Sequence, residues 1–305
     1  MSWSSRLLTT LAFLIQLGGL VFALIEPKTK PLMLLALLIY MTGLFLMNGT
    51  LTSEFVRKTQ LEADQIAAEQ IQQTLHPQKV EELPGYRLET FYKPLRSVGG
   101  DYFDVIALPK NQTLFAVADV SGKGMPAALL AANIQALVRS ISNITPDPLS
   151  VANHVNNHLC RHTPPERFAT AVFALLSHET GELKYVNAGQ NPPILSSGRT
   201  TFLESTGIPL GLVPEAQFQC QSVFLPSGGK LLVFTDGLTD GIGGQEPEER
   251  VCEAIRNDPE IAMSSFTSLL NPKFNEDDIT ILLLTRLGRL AESALNAGVN
   301  QSSQS

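Results

Sequence analysis

The chain has 305 residues, of which 44% are hydrophobic, and a net charge of −7. The apolar content is sufficient for a large folded core. The acidic balance and the lack of clustered Lys and Arg argue against nucleic acid as a partner, because phosphate backbones bind through clustered basic side chains. Cys160, Cys220 and Cys252 lack the Cys-x-x-Cys spacing of zinc or redox sites and are typical of reduced cytosolic thiols.

Two apolar runs, residues 7–25 and 32–51, lie near the amino terminus, with the polar segment 26–30 between them. A helix needs about 20 residues to cross a bilayer, so the pattern predicts a two-helix transmembrane hairpin over residues 1–52, with membrane lipid as its partner. A cleaved signal peptide is the alternative for the first run, but no small-x-small cleavage site follows it. Two spans place both chain ends on one side, and unpaired cysteines favour the cytoplasm for the rest of the chain.

Residues 53–82 form a predicted helical linker. Residues 53–76 contain no Gly or Pro and are rich in Glu, Gln, Ala and Lys, which predicts a helix. Its apolar positions are spaced mostly by five and do not form a clean heptad seam: Val56, Leu61, Ile66, Ile71 and Leu75. A solvated connector and a signalling helix that forms a homodimer through residues 53–76 are both open.

Residues 83–287 have the pattern of one α+β domain, and residues 288–305 read as a weakly ordered tail. Strands are predicted at 86–93, 113–118, 168–176, 183–187, 230–234 and 279–285. Helices are predicted at about 126–142 and 149–161, with another between 248 and 270.

Four acidic clusters lie at the edges of apolar strand-like runs. They contain Asp101, Asp119, Asp236 and the pair Asp277-Asp278. A single Asp-Gly most often marks a turn, but four such positions beside strands favour a shared site. Carboxylates gathered in one place repel one another and need positive charge to stay ionised. The sequence therefore predicts a magnesium or manganese site.

Six ordered motifs resemble those of the metal-dependent serine/threonine protein phosphatases of the PPM type, in the SpoIIE/RsbU branch. They are VGGDYFD at 98–104, DVSGKGMPAAL at 119–129, NAGQNPP at 187–193, GIPLG at 207–211, TDGLTD at 235–240 and DDIT at 277–280. The resemblance covers about residues 72–286. It implies a β-sandwich of two antiparallel sheets flanked by helices, with two Mn²⁺ or Mg²⁺ ions at one end.

Carried over by position, the resemblance makes Asp101, Asp119, Asp236 and Asp277 the catalytic residues. Asp119 would bridge both ions and the carbonyl of Val120 would bind one of them. Asp236 and Asp277 would complete the ligand shell of one ion, and Asp101 would hold the second ion or its waters. Asp277 is preferred to its neighbour Asp278, which stays a candidate ligand. Weaker candidates are Arg96 for substrate phosphate, where a surface Arg is equally plausible, and Asp104 and Asp240 behind the ligands.

Two positions depart from the wider family. Ser121 stands where the eukaryotic branch has a His proposed as general acid, and Gln190 replaces a common His in the third motif. His154, His158 and His162 share one helix face, but without a His-Glu-x-x-His pattern a solvated face is favoured over a zinc site.

The resemblance implies a membrane-anchored, Mn²⁺- or Mg²⁺-dependent phosphoserine/phosphothreonine protein phosphatase at the bacterial inner (cytoplasmic) membrane. Its implied substrate is a phosphorylated anti-anti-sigma regulator of the STAS type. The alternatives are a catalytically inactive membrane-tethered scaffold and a metal-dependent hydrolase of small phosphoesters.

Overall fold

The computed structural model describes residues 30–75, 77, 83–256 and 262–288. Contacts divide the chain into two units, Met1–Asp64 and Gln65–Ser305. The first helix, α1 (Lys30–Leu75), runs without a break through the second predicted span and the predicted linker helix. The predicted tail lies outside the described residues from 289 onward.

The predicted transmembrane hairpin is not found. Its first run, residues 7–25, lies outside the described residues. Within the part of the chain that the structure describes, no helix combines the length and apolar character needed to cross a membrane. The second run is interrupted by polar residues, and the side chains of Thr42 and Asn48 donate to backbone carbonyls of their own helix at 2.7 and 3.1 Å.

The second unit contains two five-stranded antiparallel sheets. The first sheet has the order β1-β10-β9-β6-β7 and the second has the order β2-β3-β4-β5-β8. The strands are β1 (Tyr86–Lys93), β2 (Tyr102–Leu108), β3 (Gln112–Val120), β4 (Ala169–Ser177), β5 (Glu182–Ala188), β6 (Ile194–Ser196), β7 (Thr200–Phe202), β8 (Gln221–Phe224), β9 (Lys230–Phe234) and β10 (Ile279–Arg286). The remaining helices are α2 (Met125–Ser142), α3 (Pro148–His162), α4 (Asp236–Ile242), α5 (Pro247–Arg256) and α6 (Ala262–Leu269).

Alternation along the strands builds three layers of core. On β3, Leu114 and Ala116 pack with α2 and α3, whereas Phe115 and Val117 pack between the two sheets. On β9, Leu232 faces a third cluster with α4, α5 and α6. Strands that are apolar on both faces are expected where each sheet is covered on both sides. The expected sandwich of two antiparallel sheets flanked by helices is confirmed.

Local sequence explains the two helices beside the second sheet. Pro126 lies in the first turn of α2, where its missing N–H costs nothing. Asp147 caps α3, because its side chain accepts a hydrogen bond from the backbone N–H of Ser150 at 3.0 Å. The helix predicted between 248 and 270 is divided into α5 and α6, on either side of residues 257–261, which lie outside the described residues.

Candidate metal centre

The strand register brings the predicted acidic residues to one end of the sandwich. In the second sheet Tyr102 pairs with Ala118, so Asp101 and Asp119 lie at the same edge. In the first sheet Phe234 at the end of β9 pairs with Ile281 near the start of β10. Because neighbouring strands are antiparallel, the end of one meets the start of the next. Asp236 after β9 and Asp277 before β10 therefore approach each other.

Asp101 links the two sheets. It is only 2% exposed, and its Oδ2 accepts hydrogen bonds from the hydroxyls of Thr235 at 2.8 Å, directly after β9, and Thr280 at 2.5 Å, on β10 of the first sheet. Burial, followed by the charge of Asp119, raises the pKa of Asp101 well above its ordinary value despite these two donors. The carboxyl is therefore held in a fixed position at an electrostatic cost.

Asp119 lies in the negative field of the other aspartates. Burial is the first cause that raises its pKa to about 7, and the charges of Asp236, Asp277 and Asp278 add to it, while Lys123 opposes them. The pKa of Asp236 is also raised, by burial and then by Asp277 and Asp240. These carboxylates form one cluster with more negative charge than its surroundings neutralise.

Asp278 holds the loop that precedes Asp101. Its Oδ1 accepts from the backbone N–H of Leu95 at 2.7 Å and its Oδ2 accepts from that of Gly100 at 2.5 Å. A Cβ at Gly99 would lie 2.6 Å from both Asp278 Oδ2 and the hydroxyl of Tyr92, so this close approach needs glycine. Both oxygens of Asp278 thus serve the backbone of the loop.

Asp277 lies nearer the surface and pairs with Lys123. The Lys123 Nζ is 2.9 Å from Asp277 Oδ2 and donates to the carbonyl of Glu276 at 2.5 Å. The hydrogen bond that Lys123 donates to Asp277 is the main cause that raises the pKa of its ammonium. Lys123 is therefore a counter-charge of the acidic cluster, and it belongs to the same motif as Asp119.

Gly237 explains how two of these segments come so close together. A Cβ at Gly237 would overlap the backbone carbonyl oxygen of Asp278. The turn from β9 into α4 therefore packs directly on the Asp277-Asp278 turn, which requires a residue without a side chain at the contact.

The donor chemistry of the cluster fits Mg²⁺ or Mn²⁺, which prefer carboxylate and carbonyl oxygens. The mutual repulsion that raises the pKa of Asp119 is relieved by a cation. The carbonyl oxygen of Val120 lies close to the loop that precedes Asp101, because a Cβ at Gly100 would be 3.1 Å from it. Within the described ranges, however, no three His, Cys, Asp or Glu side chains are grouped so that they could hold one ion. The expected donors share one field without forming a closed ligand shell.

Arg96 and Asp240 lie beside the cluster, and Asp104 does not. A Cβ at Gly124 would be 3.7 Å from Arg96 Nη1, which places this exposed Arg at the loop after Asp119. Asp240 is one of the charges that raise the pKa of Asp236. Asp104 is buried and pairs instead with Arg139 of α2, at 2.6 and 2.9 Å. It therefore joins β2 to α2.

The two departures from the wider family have structural roles. Ser121 Oγ accepts from the backbone N–H of Phe168 at 3.0 Å, and its carbonyl accepts from Arg167 Nη1 at 2.7 Å. Gln190 is buried, accepts from the hydroxyl of Thr170 and donates to the carbonyl of Phe234 at 3.2 Å. Gln190 thus connects the second sheet to the end of β9, two residues before Asp236.

The three histidines lie on α3, where the rings of His158 and His162 are 4.6 Å apart. Burial, followed by the charges of His162 and His154, lowers the pKa of His158. Together with Arg167 and Leu129, His158 and His162 line a groove between α2 and α3.

Three residues that sequence analysis did not single out contribute to the site: Gln72, Lys123 and Arg167. Each acts through a polar contact with a segment distant in sequence. The signal for Lys123 was its place inside the Asp119 motif, whereas Gln72 and Arg167 carry no local signal.

Comparison with known proteins gives one family and several relatives. A family model described as Stage II sporulation protein E (SpoIIE) matches residues 109–287. Protein IcfG of Synechocystis sp. (strain ATCC 27184 / PCC 6803 / Kazusa) is 28% identical over 200 residues, which are 56% of this chain and 32% of IcfG. Phosphoserine phosphatase RsbU of Bacillus subtilis (strain 168) is 26% identical over 234 residues, 72% of this chain and 69% of RsbU. The chain thus spans less than half of IcfG.

Solved structures share the fold. The RsbU and RsbW domains of Rv1364c from Mycobacterium tuberculosis align with a TM-score of 0.58 and 26% identity, over 67% of this chain and 61% of that chain. RsbX in complex with magnesium aligns with a TM-score of 0.56 and 22% identity, over 68% of this chain and 98% of the RsbX chain. The catalytic domain of the serine/threonine protein phosphatase PstP, in complex with two manganese ions, aligns with a TM-score of 0.51 and 19% identity. The alignment covers 67% of this chain and 99% of the PstP chain.

Proposed function

Because the chain belongs to the SpoIIE family of PPM-type serine/threonine protein phosphatases, we propose that it hydrolyses phosphoserine or phosphothreonine in a protein, with two Mn²⁺ or Mg²⁺ ions as cofactors. The observation that carries this proposal is the electrostatic cluster around Asp119, whose pKa is raised to about 7 by burial and by three further aspartates. Magnesium in the RsbX structure and manganese in the PstP structure support the choice of ions.

Asp119, Asp236 and Asp277 would hold the ions, together with the carbonyl of Val120. Bound divalent ions lower the pKa of a water and stabilise the charge on phosphoryl oxygens. The residues of this chain supply the fixed geometry. Thr235 and Thr280 fix Asp101 from the opposite sheet, and Asp278 fixes the loop from Leu95 to Gly100.

Arg96 would orient the substrate phosphate. Its guanidinium lies beside Gly124 of the loop that follows Asp119. A guanidinium group can donate two parallel hydrogen bonds to two phosphate oxygens. Ser121 is engaged with the backbone of Phe168 and with Arg167, so it supports the shape of this loop. In this proposal no side chain of the loop acts as general acid, and the leaving oxygen takes its proton from water.

The test is phosphate release from a phosphoserine protein with manganese or with chelator. Asp119→Asn and Asp236→Asn should each lose the manganese-dependent rate by about 100-fold or more while the domain stays folded. Glu253→Gln, an exposed carboxylate on α5, is the matched control and should keep the rate. Undiminished turnover in both aspartate variants would refute the site.

The substrate is proposed to be a phosphorylated STAS-type regulator, which rests on the resemblance to the SpoIIE/RsbU branch and the similarity to the phosphoserine phosphatase RsbU. The alternatives differ in substrate. A hydrolase of small phosphoesters would prefer an aryl phosphate to every phosphoprotein, and an inactive scaffold would bind the regulator and release no phosphate. Rates on a panel of phosphorylated regulators and on p-nitrophenyl phosphate separate the three.

Location and assembly are separate proposals that rest mainly on sequence. We propose that residues 7–25 attach the protein to the bacterial cytoplasmic membrane, with the phosphatase domain in the cytoplasm. We also propose a homodimer through residues 53–76, supported by the exposed apolar side chains of Val56, Leu61 and Ile66 on α1. Membrane fractionation with and without residues 1–29 tests the first, and sedimentation of a fragment that begins at residue 53 tests the second.

A further inference from the structure

A groove of about 380 Å³ separates α2 from α3 beside the acidic cluster. Its lining includes apolar side chains, two imidazoles and one guanidinium: Pro126, Leu129, Leu130, His158, His162 and Arg167. Leu129 is 65% exposed, which is unusual for a large apolar side chain on a helix that otherwise packs on the sheet. Leu129, Leu130 and Pro126 together give the groove an apolar wall, and an apolar patch rimmed by polar groups is typical of a binding surface.

The two helices that border this groove carry no acidic residue. Neither α2, with 18 residues, nor α3, with 15, contains an Asp or Glu, although the chain has 29 acidic residues and a net charge of −7. The last turn of α3 carries Arg161 and His162, whereas Arg139 in the last turn of α2 is paired with the buried Asp104. The surface therefore stands out from the acidic remainder of the chain and complements an acidic partner.

Arg167 lies between the groove and the loop that follows Asp119. Its Nη1 donates to the carbonyl of Ser121 at 2.7 Å, and Ser121 lies two residues after Asp119. Among the residues that the structure describes, the guanidinium donates to Ser121 with one of its five N–H groups, so others are available to a carboxylate in the groove. The rings of His158 and His162 add hydrogen-bonding groups along the same wall.

We propose that this groove binds an acidic, partly apolar segment that flanks the phosphorylated residue of the protein substrate. The proposal rests on the proposed function and adds a substrate class to it: phosphoproteins with Asp or Glu near the phosphoserine. Arg167 receives a carboxylate, and Leu129 with Leu130 receives an apolar side chain. The segment is thereby aligned with the loop that carries Asp119.

The test uses fluorescent phosphoserine peptides that share one core and have acidic, neutral or basic flanks. Anisotropy in the presence of chelator measures binding without turnover. The wild-type protein should bind the acidic peptide about fivefold or more tightly than the neutral one, and the basic peptide more weakly still.

Two charge-introducing variants and two matched controls locate the binding. Leu129→Glu and His162→Glu place an acid in the groove and should weaken binding of the acidic peptide by about fivefold or more. The same two variants should bind the basic peptide better than the wild type does, a gain that a misfolded protein cannot show. Asn157→Glu on the same helix and Ile144→Glu after α2 replace exposed residues outside the groove and should behave like wild type.

The outcomes separate the groove from the proposed function. Equal affinity for the three peptides, or equal losses in the control variants, would overturn the groove proposal even if the protein releases phosphate from p-nitrophenyl phosphate. Acidic preference in a protein that releases phosphate from no substrate would keep the groove and overturn the phosphatase proposal. Binding to vesicles of anionic lipid with no preference among the peptides would assign this surface to a membrane and overturn the proposal.

Discussion

The side-chain amide of Gln72 forms two hydrogen bonds with the backbone of Gly99. Its Nε2 donates to the carbonyl at 2.7 Å, and the N–H of Gly99 donates to its Oε1 at 3.0 Å. Gln72 is near the end of α1, and Gly99 stands two residues before Asp101. The end of this helix is therefore bonded directly to the loop that positions a predicted metal-site carboxylate.

Gln72→Ala should lower both stability and turnover. The substitution leaves the buried N–H and carbonyl of Gly99 without their partner, which costs about 1–3 kcal/mol of unfolding free energy. A small displacement of Asp101 should lower kcat by about tenfold or more. Urea unfolding and the rate of phosphate release measure the two effects. Gln73→Ala, at the exposed neighbouring position, is the control. Unchanged kcat in Gln72→Ala would show that this contact does not position the site.

Asp277 and Asp278 should differ in what their substitution affects. Asp278→Asn replaces one oxygen that accepts a backbone N–H by an NH₂ group, so the unfolding free energy should fall by about 1–3 kcal/mol. Asp277→Asn removes a partly exposed ion pair with Lys123, so the unfolding free energy should change by less than about 1 kcal/mol. The same substitution should weaken the activation of the enzyme by manganese. Chemical unfolding with chelator, followed by manganese titration of the rate, distinguishes them. The reverse pattern would exchange the roles of the two residues.

Gly237→Ala should be far more damaging than Gly241→Ala, although both glycines lie on α4. The Cβ at Gly237 would overlap the backbone carbonyl oxygen of Asp278, whereas the Cβ at Gly241 would be 3.1 Å from a terminal methyl group of the Leu270 side chain. Separation of the two turns should cost about 1–3 kcal/mol or more in Gly237→Ala, similar to overpacking of a core. Thermal unfolding of both variants checks this. Equal, small shifts would mean that the turn from β9 adjusts freely.

The sequence predicted the positions of the carboxylates because strand periodicity and Asp-Gly turns are local signals. Asp119 lies near the end of β3, directly after its apolar run, and Asp236 follows the run that became β9. Antiparallel pairing then brings strand ends together without further information. The motif resemblance supplied the sandwich of two antiparallel sheets, which periodicity alone does not contain, whereas the order of the strands is known only from the structure.

The polar contacts that fix the site could not be predicted in this way. Lys123 and the carbonyl of Glu276 are 153 residues apart in sequence, and Gln72 and Gly99 are separated by 27 residues. Such pairs depend on how elements pack, and no helical or strand period marks them. Asp104 shows the opposite error. Its place in the motif with Asp101 made it a candidate, but strand alternation turns it toward Arg139 of α2.

The raised pKa of Asp119 predicts how stability depends on pH when divalent ions are removed. The pKa is about 7 in the folded protein because of burial and the neighbouring aspartates, and about 3.9 in an unfolded chain. Between these values the folded state keeps a proton that the unfolded state has released. The Asp119 contribution to the unfolding free energy should therefore fall as pH rises from about 4 to about 7 and then level off.

Asp119→Asn cannot ionise at this position, so the stability of the variant relative to wild type should increase over this window and be highest at about pH 8. Manganese should then stabilise wild type more than the variant. Urea unfolding of both proteins with chelator measures the difference, and a difference that is constant between pH 4 and 7 would contradict the shared field of the cluster.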